Sequence, residues 1–296
     1  MSNPQDDLRT VRDVLRYAVT AFNDADLFFG HGQIDALDEA SFLVLRGLQL
    51  PMEQMDLFLD ARLTYDEIGR LLHLIDQRAN KLIPAAYLLK EAWLQGYRFT
   101  VDERVIIPRS FIGELLRDGL QPWANDPDAV TDVLDLCTGS GCLAIMAADL
   151  FPNAQVDAVD ISADALAVAR ANIVDYKLTA RVHAIESDLF RALDNRQYDV
   201  ILCNPPYVTE AAMQRLPQEY RHEPALALGA GPDGMNVVRR LLLEARHHLK
   251  PDGLLVVEVG DGRAEVERQF PALPFTWVTT SAGDDMVFLL SKEDLS

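Results

Sequence analysis

Apolar residues recur at helical spacing through the first part of the chain. Leu8, Val11 and Leu15 lie three or four positions apart, so they share one face of a helix. Residues 64–67 read Thr-Tyr-Asp-Glu, which has the form of a capping box, and further apolar residues at helical spacing follow it. The pattern predicts a small helical domain over residues 1–90.

The apolar spacing changes after residue 91. Large apolar residues now nearly alternate with polar ones along the sequence, and Gly96 suits a turn between two strands. The positions that suit strands are Trp93, Tyr97, Phe99, Val101, Val105 and Ile106. We therefore expect a linking β-hairpin over residues 91–110, followed by a helix near residues 112–120.

From residue 130 onward, apolar runs typical of strands alternate with segments of helical period. The strand-like runs are VTDVLDLC, AQVDAVDI, ARVHAI, YDVILC, GLLVVEVG, FTWVTT and MVFLLS, and the helical runs are CLAIMAADLF, ADALAVARANIVD, GMNVVRRLLLEARHHL and RAEVERQF. This alternation predicts an α/β domain over residues 111–296 with a parallel, doubly wound sheet. Such sheets bind ligands beyond the carboxyl ends of their strands, so a site is expected there.

Composition and charge narrow the functional class. The chain has 296 residues, of which 49% are hydrophobic, and a formal net charge of −19. The apolar content is that of a globular protein. The negative charge disfavours sequence-specific binding of nucleic acid, because phosphate contacts need surfaces rich in lysine and arginine. An acidic surface suits a basic protein partner.

The cysteines and the first residues bear on location. Cys137, Cys142 and Cys203 have neither the even count of a disulfide framework nor the paired spacing of a zinc site. The polar opening MSNPQDDLRT does not resemble a signal peptide, and no apolar run is long enough to cross a bilayer. We expect a cytoplasmic protein with no bound metal and no membrane association.

The first predicted strand of the α/β domain ends in DLCTGSG, residues 135–141. Gly139 and Gly141 permit a tight turn and a close approach of a ligand to the backbone, and with Ala144 they complete the form GxGxxA. Asp160 ends the next predicted strand, where a carboxylate accepts hydrogen bonds from ribose hydroxyl groups. Together these features predict a nucleoside-binding site.

Asp135 distinguishes two classes of cofactor. A dinucleotide places its pyrophosphate at the start of the helix after the glycine loop, where the Asp135 carboxylate would repel it. The same carboxylate attracts an ammonium group. S-adenosylmethionine carries a ribose and an amino-acid ammonium group but no phosphate, so the sequence favours it over NAD. A glycine-rich turn without a ligand is the structural alternative.

The third strand end supplies a further candidate contact. In SDLF, residues 187–190, Asp188 could accept a hydrogen bond from an adenine amino group while Leu189 and Phe190 pack near the ring. The alternative role of Asp188 is that of a helix cap.

Cys137 has no histidine near it in sequence, so we interpret it as part of the pocket wall and not as a nucleophile.

The fourth strand, YDVILC, ends in Asn204-Pro205-Pro206-Tyr207. This strand is expected beside the first, which brings Asn204 close to the cofactor. The side-chain oxygen of Asn204 and the carbonyl of Pro205 offer two acceptors to a planar –NH2 group. Pro206 stiffens the loop and Tyr207 packs on the flat group.

The chemistry of this motif rests on positioning. Two acceptors that hold the hydrogens of an amide favour pyramidalisation of its nitrogen and direct its lone pair at a methyl group, with no strong base. A proline-rich turn is the structural alternative, and it explains the prolines but not the flanking Asn and Tyr.

These motifs resemble those of class I S-adenosylmethionine-dependent methyltransferases that carry NPPY. Over nearly its full length the chain resembles the HemK-like protein-glutamine N5-methyltransferases, on the strength of DLCTGSG, Asp160, SDLF, NPPY and the stretch from Glu223 to Met235. The resemblance implies a Rossmann-like, mixed seven-stranded sheet, a helical domain that recognises substrate, and a linking β-hairpin. It implies N5-methylglutamine and S-adenosylhomocysteine as products.

The resemblance also implies residue roles. Cofactor contacts would come from Asp135, Cys137, Thr138, Gly139, Ser140, Gly141, Asp160, Ile161, Asp188, Leu189 and Asn204. Contacts to the substrate glutamine would come from Asn204, Pro205, Pro206, Tyr207, Phe99 and Arg109. Of these, Asn204, Pro205 and Tyr207 would be catalytic. For Arg109, hydrogen bonding between domains is the alternative role.

Two stretches are similar to the branch of the family that acts on the third protein of the large ribosomal subunit. They are FFGHG at 28–32 and PAAYLLKEAWLQGYRFTVDERVIIPRS at 84–110. The release-factor branch is expected to continue IPR with Pro-Asp-Thr-Glu, whereas this chain reads IPRSFIGEL. A release-factor enzyme, an adenine-N6 methyltransferase acting on nucleic acid and a cofactor-binding scaffold without turnover are the alternatives.

Overall fold

The computed structural model describes residues 4–295, which form two compact units. The first contains residues up to Ala92 together with Pro217–His222, and the second contains Trp93–Leu216 and the residues from Glu223 onward. The domain boundaries drawn from the sequence at residues 90 and 110 stay predictions.

The helices of the described chain are α1 Pro4–Asp7, α2 Val11–Asp24, α3 Ala36–Gly47, α4 Met55–Phe58, α5 Tyr65–Lys81, α6 Ala85–Leu89, α7 Ile112–Arg117, α8 Cys142–Leu150, α9 Ala163–Asp175, α10 Glu210–Met213, α11 Asn236–Glu244 and α12 Arg263–Gln269. The strands are β1 Ala92–Leu94, β2 Tyr97–Phe99, β3 Asp132–Leu136, β4 Gln155–Asp160, β5 Val182–Glu186, β6 Tyr198–Cys203, β7 Leu249–Glu258, β8 Thr276–Thr280 and β9 Gly283–Ser291. Within residues 4–295, no helix has the length and apolar character needed to span a membrane.

The first unit is helical, and α5 begins where the sequence predicts. The hydroxyl of Thr64 accepts a hydrogen bond from the Glu67 backbone N–H, and the Glu67 carboxylate accepts one from the Thr64 N–H at 2.8 Å. This capping box confirms the predicted start of α5. The apolar faces of α2, α3 and α5 share one core that includes Val14, Phe22 and Leu71.

A buried ion pair lies at the centre of the first unit. The guanidinium of Arg78, only 1% exposed, donates to both carboxylate oxygens of Glu39, at 2.6 and 3.1 Å. It also donates to the carbonyl of Phe28 at 3.1 Å and to Glu219 at 3.5 Å. Because Glu219 belongs to Pro217–His222, this cluster helps to hold that segment in the helical unit.

The second unit is built on a seven-stranded sheet in the order β5-β4-β3-β6-β7-β9-β8. Its first five strands are parallel, and β9 runs antiparallel to both β7 and β8. The expected Rossmann-like, mixed sheet is confirmed. The central strands are apolar along most of their length because helices such as α8 and α9 cover them. Leu136 of β3 lies opposite Cys203 of β6, so these two strands end side by side, as expected.

The hairpin is shorter than the sequence pattern indicates. It contains only β1 and β2, and the strand prediction is wrong for Val101, Val105 and Ile106, which lie in irregular backbone. Side chains take the place of a neighbouring strand here. The amide of Asn172 accepts from the Thr100 N–H at 2.8 Å and donates to the Thr100 carbonyl at 3.0 Å.

Candidate active site

A cavity of about 260 Å³ opens at the carboxyl ends of β3, β4, β5 and β6. All of the residues that line it belong to the second unit. Of the residues predicted from the sequence, the cavity brings together Cys137, Gly139, Asp160, Ile161, Asp188, Leu189, Asn204 and Pro206. These residues lie far apart in the chain and meet because parallel strands end at one edge of the sheet.

The loop after β3 is tied to the end of β4. Oδ2 of Asp160 accepts a hydrogen bond from the Gly139 N–H, and Oδ1 accepts one from the Ser162 N–H, both at 2.9 Å. Gly139 has a φ of +54°, a backbone conformation that favours glycine. Burial raises the pKa of Asp160. Each oxygen keeps a lone pair, so the carboxylate retains capacity to accept hydroxyl groups from a ligand.

Asp135 is fully buried beneath the same loop and does not line the cavity. Its Oδ2 accepts hydrogen bonds from the Thr138 hydroxyl and from the Ala144 N–H, the latter at 3.0 Å. Its Oδ1 has no hydrogen-bond partner among the described residues. Burial raises the pKa of Asp135 to about 7. A buried oxygen of this kind is stabilised by a nearby positive charge, which a cationic ligand would supply.

The loop after β5 places Asp188 and Leu189 on the cavity wall. Both carboxylate oxygens of Asp188 accept hydrogen bonds from Arg240 of α11, at 2.9 and 3.0 Å. Leu189 has a φ of +52° and Cys137 a φ of +59°, so two residues other than glycine adopt left-handed backbone at the cavity. Such backbone is strained and is concentrated at functional sites.

Asn204 and Pro206 line the cavity at the end of β6. The side-chain amide of Asn204 makes no hydrogen bond to another residue in the described chain, so its oxygen and nitrogen are available to a ligand. Pro205 is buried, and Tyr207 follows at a half-buried position; neither belongs to the cavity lining.

The segment that follows this motif is held by a second loop. The Val208 N–H donates to the Leu228 carbonyl at 2.8 Å, and the Ala230 N–H donates to the Val208 carbonyl at 2.9 Å. Farther on, the Glu210 N–H donates to the Gly231 carbonyl at 3.0 Å. These bonds fix residues 208–210 against residues 228–231, within the stretch that carries the family resemblance.

Comparison with known proteins decides the family. A family model described as "Methyltransferase small domain" matches residues 121–222. A ribosomal protein uL3 glutamine methyltransferase of Burkholderia pseudomallei is 55% identical over 294 residues, covering 97% of this chain and 96% of the relative. One from Bordetella pertussis is 54% identical over 295 residues, covering 100% and 99%. The chain belongs to the ribosomal protein uL3 glutamine methyltransferase family.

Membership of the uL3 glutamine methyltransferase family confirms the resemblance found in the sequence, including the branch. Among solved structures, the hMettl16 catalytic domain in complex with MAT2A 3'UTR hairpin 6 superposes with a TM-score of 0.51 at 14% identity, covering 76% of this chain and 80% of that one. At this identity the similarity concerns the fold alone.

Like Pro205 and Tyr207, the predicted pocket residues Phe99 and Arg109 lie outside the cavity lining in this member of the uL3 glutamine methyltransferase family. Phe99 is fully buried. Arg109 donates to both carboxylate oxygens of Glu223, one of them at 2.8 Å, and to the Ile107 carbonyl at 3.0 Å. Both of these partners lie in the second unit with Arg109.

Two buried glutamates anchor the segment around Arg109, and no sequence motif pointed to the second. Glu223 accepts from the Ile107 N–H at 2.9 Å. Glu258, at the end of β7, accepts from the Ser110 hydroxyl at 2.6 Å and from the Phe111 N–H at 2.8 Å. Burial raises the pKa of Glu258 to about 7.

The cavity also has walls that no motif predicted. Arg104, Val105 and Ile106 line one part, and Pro224, Leu226 and Ala227 line another. Leu226 is 61% exposed, so it presents apolar surface beside the cavity. Residues 104–106 lie in irregular backbone, and Leu226 and Ala227 lie in the short 3-10 helix Ala225–Ala227, so hydrophobic period carries no information about their orientation.

Proposed function

We propose that this chain methylates the side-chain nitrogen of a glutamine in ribosomal protein uL3, with S-adenosylmethionine as the methyl donor. The proposal rests on the position and hydrogen bonding of Asn204. Its amide makes no hydrogen bond to another described residue and lines the same cavity as the carboxylates of Asp160 and Asp188. The names of the relatives supply the acceptor protein.

The residues at the cavity fit S-adenosylmethionine. Asp160 has acceptor capacity for two ribose hydroxyl groups, Ile161 and Leu189 offer apolar surface to adenine, and Asp188 offers an acceptor to its amino group. The buried Asp135, with one oxygen unpartnered in the described structure, suits a nearby ammonium group. When bound, S-adenosylmethionine supplies a methyl group on positively charged sulfur and leaves as S-adenosylhomocysteine.

The role of the chain is then to hold the glutamine carboxamide. Asn204 Oδ1 and the Pro205 carbonyl accept its two N–H groups, and Tyr207 packs against its plane. These two hydrogen bonds direct the nitrogen lone pair at the methyl group and favour loss of amide resonance. No lysine or histidine lines the cavity as the structure describes it, which agrees with catalysis by positioning.

We propose that the helical unit recognises the remainder of uL3, while an extended segment of uL3 presents the glutamine. The net charge of −19 favours association with a basic ribosomal protein. We place this reaction in the cytoplasm, with neither nucleic acid nor membrane as a binding partner.

A release factor is the second candidate acceptor, because it would undergo the same chemistry. The sequence IPRSFIGEL, without the Pro-Asp-Thr-Glu expected of the release-factor branch, argues against it. The relatives at 54–55% identity also carry the uL3 name. The acidic composition argues against an adenine acceptor in nucleic acid.

The test is transfer of labelled methyl from S-adenosylmethionine to purified uL3, a class-1 release factor and duplex DNA, with mass spectrometry to locate the label. We expect label on one glutamine of uL3 alone. Label on the release factor alone would overturn the choice of acceptor, and label on DNA alone would overturn the substrate class.

A further inference from the structure

The loop after β7 makes an unusually close approach to Tyr207. Gly260 lies in this loop with a φ of +51°. A Cβ atom at Gly260 would lie 2.6 Å from Cε2 of the Tyr207 ring and 3.1 Å from Cδ2 and Cζ. Carbon atoms pack at about 3.5–4.0 Å. No side chain therefore fits at Gly260 while the ring keeps its position.

A second glycine from a different loop approaches the same residue. A Cβ atom at Gly234, whose φ is +74°, would overlap the carbonyl oxygen of Tyr207. Gly234 adjoins the loop that bonds to Val208. Two loops that are distant in sequence thus present bare backbone to Tyr207, one at its ring and one at its carbonyl.

We propose that Gly260 is a positioning residue for Tyr207. Its missing side chain lets the ring rest against the loop after β7, which sets the ring orientation before substrate arrives. The catalytic consequence rests on the function proposed above, in which Tyr207 packs on the glutamine carboxamide. The contact between Gly260 and the ring does not depend on that function.

The expected consequence of Gly260→Ala is a loss of turnover with little loss of cofactor affinity. A displacement of a reacting or positioning group by about 1 Å costs on the order of 100-fold in rate. We expect kcat for uL3 methylation to fall by about that factor. Tyr207 is not part of the cavity lining, so the Kd for S-adenosylmethionine should change by less than about threefold.

A double-mutant cycle separates positioning from general damage. In the wild-type background Gly260→Ala displaces the Tyr207 ring, but in a Tyr207→Ala background there is no ring to displace. We expect the double variant to have the same kcat as Tyr207→Ala alone. An equal loss from Gly260→Ala in both backgrounds would overturn the proposal.

Gly96→Ala is the matched control. Gly96 has a φ of +86°, and a Cβ atom there would meet nothing within 4 Å, so the variant introduces backbone strain without a clash. We expect its kcat to stay close to wild type. If Gly260→Ala does not fold, Tyr207→Ala/Gly260→Ala should recover folding because the clash is gone. Failure of both to fold, with Tyr207→Ala folded, would overturn the proposal.

A readout that needs no turnover distinguishes this inference from the proposed function. 3-Fluorotyrosine is incorporated at position 207 and its ¹⁹F resonance is recorded. We expect Gly260→Ala to shift the resonance and Gly96→Ala to leave it in place. An unmoved resonance in folded Gly260→Ala would overturn the inference. If Gly260→Ala shifts the resonance and the wild-type protein does not methylate uL3, the result supports ring positioning and rejects the proposed function.

Discussion

The carboxylate of Asp160 accepts the backbone N–H of Gly139 at 2.9 Å. This bond joins the glycine loop after β3 to the end of β4, so the loop conformation and the acceptor for the ribose are set by one side chain. Two elements that the sequence marks separately therefore act as one unit of the proposed cofactor site.

Asp160→Ala should weaken binding of S-adenosylmethionine by about 10- to 100-fold. The variant removes hydrogen bonds to a charged acceptor, which contribute about 1.5–3 kcal/mol each, and it frees the loop. Isothermal titration calorimetry measures the change. Asp175→Ala, an exposed substitution at the end of α9, is the control and should bind normally. Equal affinity in the two variants would refute the assigned role of Asp160.

Arg78→Leu should lower the free energy of unfolding by about 3–5 kcal/mol, because it leaves the buried carboxylate of Glu39 without its partner. Arg70→Leu, an exposed change on the same helix, should stay within about 0.5 kcal/mol of wild type. Urea unfolding of both variants measures the difference. A similar urea midpoint for the two variants would show that the buried ion pair is not needed for stability.

Glu258→Gln should change how stability depends on pH. Burial raises the pKa of Glu258 in the folded state to about 7, from an ordinary value of 4.5. Between these values the folded protein holds a proton that the unfolded chain has released. Rising pH should therefore destabilise wild type relative to the variant, by up to about 3 kcal/mol, and the difference should level off once the pH is well above 7.

The measurement is urea unfolding of wild type and Glu258→Gln at several pH values on either side of this window. The buried Asp135 is present in both proteins, so its own titration cancels in the comparison. Parallel stability curves for the two proteins would contradict the raised pKa.

Much of the α/β unit could be predicted from sequence because its elements have clear periods. The helix Ala163–Asp175 and the strand Tyr198–Cys203 have the bounds that the pattern predicts. Backbone groups that bond to side chains, as Thr100 does to Asn172, leave no periodic pattern in the sequence, and the strand prediction fails in this segment after Phe99.

Contacts between residues that are far apart in the chain could not be predicted from the sequence, for a different reason. Arg78 and Glu219 meet although 141 positions separate them, and a single sequence holds no signal for such a pair. The approach of Gly260 to Tyr207 is of the same kind. Motif positions at strand ends, such as Asn204 and Asp160, could be found because parallel strands bring their ends to one edge.

The central claim is that Asn204 holds the amide that receives the methyl group. The most direct test is single-turnover methyl transfer to uL3 by wild type and Asn204→Ala, with the Kd for S-adenosylmethionine measured on the same samples. We predict that transfer falls by a factor on the order of 1,000, as for loss of a preorganised electrostatic contact, while cofactor binding is only partly weakened. Methyl transfer by Asn204→Ala at the wild-type rate would contradict the account.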